Sequence, residues 1–268
     1  RAQRPDHAWR EAMQFVDRAF QTMAFLQALV GKRGGIRTLA FARQCPFRAS
    51  CQFVFPLDIA DAQRVALAFG GQHPCGQRLR AAAGKIGSTL LRHSITAGGN
   101  LMALFPWSDL PPVLLALDAQ ALCRRGVPKR TVAVKNLIET GPRHYMEQGE
   151  ILVELQVPEY GRGTGVAFHK FSKTANDYAM ITVAVRITMQ GETVKEARIA
   201  LNAVCKKAQR RPDAEKQLEN MVPTPERVAA AAAAAARDLD MTTDYRASRE
   251  YREEVLPHIA ADDLAEIL

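Results

Sequence analysis

Thr96-Ala97-Gly98-Gly99-Asn100 is the stretch of this chain where residue type and spacing point most directly to chemistry. Paired glycines let main-chain N–H groups approach an anion, because no Cβ intervenes and positive φ is open to them. Thr96 and Asn100 flank the pair with side chains that can donate to oxygen. Asp109, in Pro106-Trp107-Ser108-Asp109-Leu110-Pro111-Pro112, can accept from vicinal hydroxyls. A diphosphate with a ribose beside it needs these groups. On their own, a Gly-Gly pair is more often a turn and Asp-Leu-Pro-Pro a helix start. A second double glycine, Gly34-Gly35, is followed by Thr38 and allows the same two readings.

Other chemistries find little support. The six histidines show no H-E-x-x-H or other ligand spacing, so no metal site is expected. No Ser/His/Asp set, G-x-S-x-G elbow or cysteine nucleophile motif is visible, and no catalytic side chain is assigned. Cys45, Cys51, Cys75, Cys123 and Cys205 form no C-x2-C pair, which fits a reducing, cytoplasmic setting and argues against an iron-sulfur cluster held by this chain. The net charge of +8 is dispersed. Its densest clusters, Lys206-Lys207 with Arg210-Arg211 and Arg124-Arg125 with Lys129-Arg130, lack interleaved aromatics, so they read as solvated surface and not as a nucleic-acid module. No apolar run approaches the ~18 residues of a spanning helix, so membrane insertion is not expected.

The elements that must position these residues follow from periodicity. Asp6 to Val30 carries apolar residues at helical intervals, whereas residues 39–77 show no clean period. Pro111-Pro112 and the run to Leu117 read as a helix with proline in its first turn and Asp109 near the cap. Asp118 to Ala133 reads as a β ribbon turning at Arg125-Gly126. Glu150 to Pro158 alternates over a strand length; so do Val166 to Phe171, Met180 to Thr188 and Val194 to Val204. The last three, joined by short turns, favour an antiparallel sheet with Ile181, Val183, Val185 and Ile187 on one face. Helices follow over Asp213 to Asn220, from the Thr224 cap through the alanines to Ala236, and near Ala247 to Leu256.

The order Thr-Ala-Gly-Gly-Asn-Leu, then Pro-x-Ser-Asp-Leu-Pro-Pro-x-Leu-Leu-Ala-Leu-Asp-Ala, resembles the FAD-binding subunit of the xanthine dehydrogenase (molybdenum hydroxylase) family, in the version found in carbon monoxide dehydrogenase medium subunits. Phe168-His-Lys-Phe-Ser-Lys-Thr-Ala-Asn-Asp-Tyr-Ala179 matches a second family block. The resemblance runs over residues 79–256. It implies an α+β fold: an FAD-binding region of two mixed α/β subdomains over residues 1–157, then a domain at 158–268 with a three-stranded antiparallel sheet and a helical bundle.

It also implies cofactor-binding roles for Thr96, Ala97, Gly98, Gly99, Asn100 and Asp109. Leu152 matches a position whose main chain touches FAD, and Lys170 one whose charge can pair with phosphate or favour the reduced flavin. Tyr178 matches an aromatic lying against the flavin ring. Gly34 and Gly35 stand at roughly the place of an early family glycine motif, in surroundings that do not match it. The function implied is electron transfer: from two-iron two-sulfur clusters of a small partner subunit, beside a large molybdopterin subunit, through FAD to NAD, a quinone or oxygen. The alternatives are a standalone FAD-dependent oxidase, which would need its own base and pocket, and a scaffold subunit that has lost FAD.

Overall fold

The computed structural model describes residues 52–55, 74–92 and 95–268. The helix expected over Asp6 to Val30 and the Gly34-Gly35 motif lie outside the described residues. The first half forms an antiparallel sheet from β1 (Gln52–Phe55), β2 (Gln120–Arg124), β3 (Lys129–Ala133) and β4 (Ile151–Pro158), in the order β1-β4-β2-β3. The β2–β3 ribbon pairs Gln120 with Ala133 and Arg124 with Lys129, and Gly126 at φ 61° supplies the left-handed residue of its turn. β1 comes from the stretch without a readable period and pairs Gln52 with Pro158 and Phe55 with Leu155. Four residues of strand are too few to leave a countable pattern in a sequence.

Among the described residues, five short helices accompany this sheet: α1 (Pro74–Gly84), α2 (Thr89–Arg92), α3 (Ala97–Ala103), α4 (Leu110–Ala116) and α5 (Val134–Thr140), with a single turn, α6 (Pro142–Tyr145), after them. Every residue of α4 is buried. Pro111 and Pro112 occupy its first turn, where the missing N–H groups are not needed, and Asp118 at φ 43° ends it in a left-handed conformation.

The second sheet has the order β5-β6-β7-β8, from β5 (Thr164–Phe171), β6 (Ile181–Gln190), β7 (Thr193–Asn202) and a two-residue edge, β8 (Gln209–Arg210). The expected three long strands are present, and β8 adds a short fourth. Ile181, Val183, Val185 and Ile187 share one face and pack with the later helices α7 (Pro212–Lys216), α8 (Pro225–Ala236) and α9 (Arg249–Ile267) in one core. The other face is buried as well. Val166, Phe168, Ala184 and Ala200 join a second core with α1, α4 and the first sheet. The polar residues of β6, Thr182 and Arg186, are therefore fully buried. The fold is α+β, with the second sheet held between two helical layers.

Two helices depart from the sequence reading. Asp213 to Asn220 is helical only to Lys216, and Asn220 at φ 62° turns the chain back. The last helix does not stop before Pro257; α9 begins at the Ser248 cap and continues through that proline to Ile267. An interior proline costs about 3 kcal/mol. Leu256, Ile259, Ala260 and Leu264 remain on one buried stripe across it, and burying each large side chain returns about 1.5–3 kcal/mol. In the basic clusters Arg124, Arg125, Lys129, Lys206 and Lys207 are exposed as expected, while Arg130, Arg210 and Arg211 are half-buried. Arg130 makes two contacts of 2.6 Å with Glu150, and Arg210 pairs with Glu215 and Asp118.

Candidate functional site

Thr96 is the N-cap of α3 and accepts a hydrogen bond from the Gly99 N–H at 3.0 Å. Its hydroxyl proton remains free to donate outward. A Cβ on Gly99 would stand 2.9 Å from Thr96 Oγ1, so a side chain there would crowd the cap. Gly98 is buried, Gly99 exposed, and Ala97 packs against the first core. The Gly99 N–H is thus bonded to the cap within the chain. The Asn100 N–H closes the first helical bond to the Thr96 carbonyl at 2.9 Å, and Asn100 Oδ1 is a buried atom without a hydrogen-bond partner among the described residues.

Asp109 sits at the N-cap position of α4 but makes no capping bond. Its Oδ2 accepts from Lys170 Nζ at 2.9 Å, and the same ammonium donates to the Lys85 carbonyl at 2.8 Å. Burial drives the Asp109 carboxyl up to about 6, while Lys170 and then Lys85 pull the other way. Its second oxygen, Oδ1, is buried with no partner among the described residues. Lys85 also lies over the Phe168 ring at 5.6 Å. The Lys170 charge is therefore satisfied inside the chain by Asp109, and the spare acceptor in this pair is a carboxylate oxygen.

The two motif blocks meet a second time through aromatic rings. The Tyr178 ring, about half exposed, is tilted against Trp107 at 5.0 Å, and Trp107 stacks nearly parallel to Phe105 at 5.3 Å. The loop carrying Trp107 is pinned to the end of β7, where Asn202 Nδ2 donates to the Ser108 carbonyl at 2.7 Å and the Ala203 N–H to the Pro106 carbonyl at 2.8 Å. Leu152 is buried in β4, opposite Cys123 of β2.

Asp109, Lys170 and Tyr178 thus fall around one junction of loops, Thr96 to Asn100 form the cap of the neighbouring α3, and Leu152 belongs to the first sheet. Sequence reasoning missed Lys85 and Trp107. Trp107 stands inside the quoted motif, two residues before Asp109, and only the fold reveals that its ring faces Tyr178.

A mixed first half and a sheet-and-helix second half give the described residues an α+β fold. Residues 62–160 match the FAD binding domain in molybdopterin dehydrogenase, and residues 166–262 match the CO dehydrogenase flavoprotein C-terminal domain. The chain belongs to this flavoprotein family. It is 31% identical to the carbon monoxide dehydrogenase medium chain of Hydrogenophaga pseudoflava, over 65% of this chain and 61% of that one. It is also 31% identical to the nicotine 6-hydroxylase medium subunit of Paenarthrobacter nicotinovorans, over 65% and 61%. Its backbone superposes on a chain of the H. pseudoflava carbon monoxide dehydrogenase with a TM-score of 0.66 and 30% identity, covering 69% of this chain and 65% of the other. A chain of the reconstituted CO dehydrogenase from Oligotropha carboxidovorans gives 0.66 at 25% identity, covering 70% and 66%. The chain spans about three fifths of the length of the curated relatives it matches.

Proposed function

We propose that this chain is the FAD-binding, electron-transferring medium subunit of a molybdenum hydroxylase complex, an oxidoreductase component in the cytoplasm. The observation that carries the reading is the double junction between motif blocks: Lys170 on Asp109 at 2.9 Å, and Tyr178 on Trp107 at 5.0 Å. Groups left without partners there suit a dinucleotide. Asn100 Oδ1 and Asp109 Oδ1 are buried acceptors, and the ribityl and ribose of FAD are rich in hydroxyl donors.

In this reading Thr96, Ala97, Gly98, Gly99 and Asn100 hold the diphosphate side of FAD, and Asp109 accepts from a sugar hydroxyl. Lys170 positions Asp109 and contributes positive charge, the Leu152 main chain borders the cofactor, and Tyr178 with Trp107 covers one face of the flavin ring. FAD supplies the exchange between single electrons and electron pairs. The residues bind and orient it, shield one ring face and keep water from the buried pair. Partners in the complex are a large molybdopterin subunit and a small subunit with two-iron two-sulfur clusters, and the final acceptor is NAD, a quinone or oxygen.

An absorbance spectrum of the purified chain after incubation with FAD and gel filtration tests this reading. Flavin bands retained with the protein are expected. A protein peak free of flavin after incubation with excess FAD would overturn it.

A further inference from the structure

Residues 242–252, running from the connection after α8 into the first turn of α9, pass beside the Tyr178 turn. Asp244 is the hub of this segment. It accepts from the backbone N–H of Arg246 at 2.9 Å, from Arg246 Nε at 3.0 Å and Nη2, and from Arg252 Nη2 at 3.0 Å. Both arginines are buried; Arg252 is fully so. Each spends a further donor on the chain immediately after Tyr178. Arg246 Nη1 donates to the Ala179 carbonyl at 2.6 Å, and Arg252 Nε to the Met180 carbonyl at 3.2 Å. The Arg246 guanidinium also lies 5.5 Å from the centre of the Trp107 ring.

A buried charge is retained only where its geometry is well satisfied, because desolvation outweighs a poor pairing. Here two buried guanidinium groups converge on one carboxylate and grip consecutive carbonyls. Their arrangement fixes the main chain that carries Tyr178 and places a cation on the aromatic neighbour of that tyrosine. Core packing alone would not call for it; an apolar side chain would fill the space at lower cost. The depressed Asp244 carboxyl, held down to about 2 by the bonds from Arg246 and Arg252, agrees with a group kept ionised at all working pH values.

We infer that Asp244, Arg246 and Arg252 form a positioning device that sets the Trp107–Tyr178 aromatic surface in the orientation that receives the flavin ring. The inference rests on the FAD-binding reading and extends it to three residues outside both motif blocks. Arg246 acts through Trp107 and through the Ala179 carbonyl, without touching the cofactor. Its planar fork is essential, since a lysine can keep the charge but not reach Asp244 and Ala179 together.

The test uses the full chain carrying Trp9→Phe, which leaves Trp107 as the sole tryptophan of the two in the sequence. Arg246→Met and Arg246→Lys are compared with the parent in two ways: acrylamide quenching of Trp107 fluorescence without FAD, and the FAD dissociation constant by flavin fluorescence titration. Thermal melts establish that the variants are folded. Arg246→Met should raise the quenching constant about twofold and weaken FAD by about tenfold, the size of one interaction of ordinary strength. Arg246→Lys should give a smaller change in the same direction, and it carries the test should Arg246→Met not fold. With Trp107→Leu also present, Arg246→Met should change FAD affinity less than it does with Trp107 intact. Unchanged quenching and affinity in a folded Arg246 variant would overturn the inference, as would an equal loss with and without Trp107. If the parent binds no FAD, the functional reading falls by itself. The quenching arm then decides positioning alone, a changed Trp107 supporting it and an unchanged one ending it.

Discussion

Lys170 and Asp109, separated by 61 residues of sequence, form a buried ion pair of 2.9 Å whose side chains are 3% and 4% exposed. One comes from β5 and the other from the entrance to α4, so the pair fixes how the two motif blocks approach each other.

Removing one partner of this pair should cost far more than removing both. Lys170→Met leaves the Asp109 carboxyl buried without its cation and should destabilise the chain by about 3–5 kcal/mol. Adding Asp109→Asn should restore part of the loss, because the amide needs no counter-charge. Urea unfolding of the two single variants and the double variant measures the difference. Additive losses would show that the two side chains do not act as a pair.

Stability should also depend on pH through Asp263 of α9. Its side chain is buried, and desolvation first, then Glu266, pushes the carboxyl up to about 8 from an ordinary 3.8. The folded chain therefore holds a proton that the unfolded chain has released, and stability falls as pH rises from 3.8 towards 8. His169 Nδ1 lies 3.8 Å away, too far for a hydrogen bond, and its own pKa is lowered by burial and by Lys85, so it supplies no counter-charge near neutrality. Asp263→Asn should flatten that pH dependence and gain on the order of 1–3 kcal/mol above pH 8. Melting temperatures from pH 5 to 9 test this, and parallel curves for the two proteins would contradict it.

Arg186 locks the second sheet onto the end of α4. Its side chain is fully buried, with Nε donating to the Ala116 carbonyl at 2.8 Å, Nη2 to Asp118 at 2.6 Å and Nη1 to Glu196 at 3.0 Å, and it lies over the Tyr160 ring at 4.2 Å. Arg186→Met should cost about 3–5 kcal/mol, and Arg186→Lys should recover little, because a single ammonium cannot serve three acceptors in the plane of a fork. Denaturant midpoints decide it, and a loss below about 1 kcal/mol would mean that the network is dispensable.

Much of this architecture was legible in the sequence because strand alternation survives even where both faces are covered. Ile181, Val183, Val185 and Ile187 mark β6 correctly, but their alternation does not reveal that Thr182 and Arg186 on the opposite face are buried as well. Pro257 misled for the opposite reason. A local rule for ending helices lost to an apolar stripe that continues past it to Leu264. In the site, Asp109, Lys170 and Tyr178 were legible as letters of two motif blocks. Their mutual contacts were not, because a pairing over 61 residues leaves no local trace. Arg246 and Asp244 carry no sequence signal and emerge only from their bonds to Ala179 and to each other.

A side chain at Gly99 should crowd its turn. A Cβ there would stand 2.9 Å from Thr96 Oγ1, so Gly99→Val should strain the cap, cost about 1 kcal/mol of stability and weaken FAD retention. Thr96→Ala should lose a similar stability without adding bulk. Comparing flavin content after gel filtration separates the two effects. Full flavin content in folded Gly99→Val would remove this turn from the proposed site.

The central claim is that FAD binds where the two motif blocks meet, and a stoichiometric titration tests it most directly. The flavin-free full chain is titrated with FAD, following flavin fluorescence, beside the Tyr178→Ala variant. Saturation at one FAD per chain is expected, with strong quenching in the parent and weaker quenching at the same stoichiometry once the Tyr178 ring is gone. No saturable binding in the parent, or quenching unchanged by Tyr178→Ala, would contradict the account.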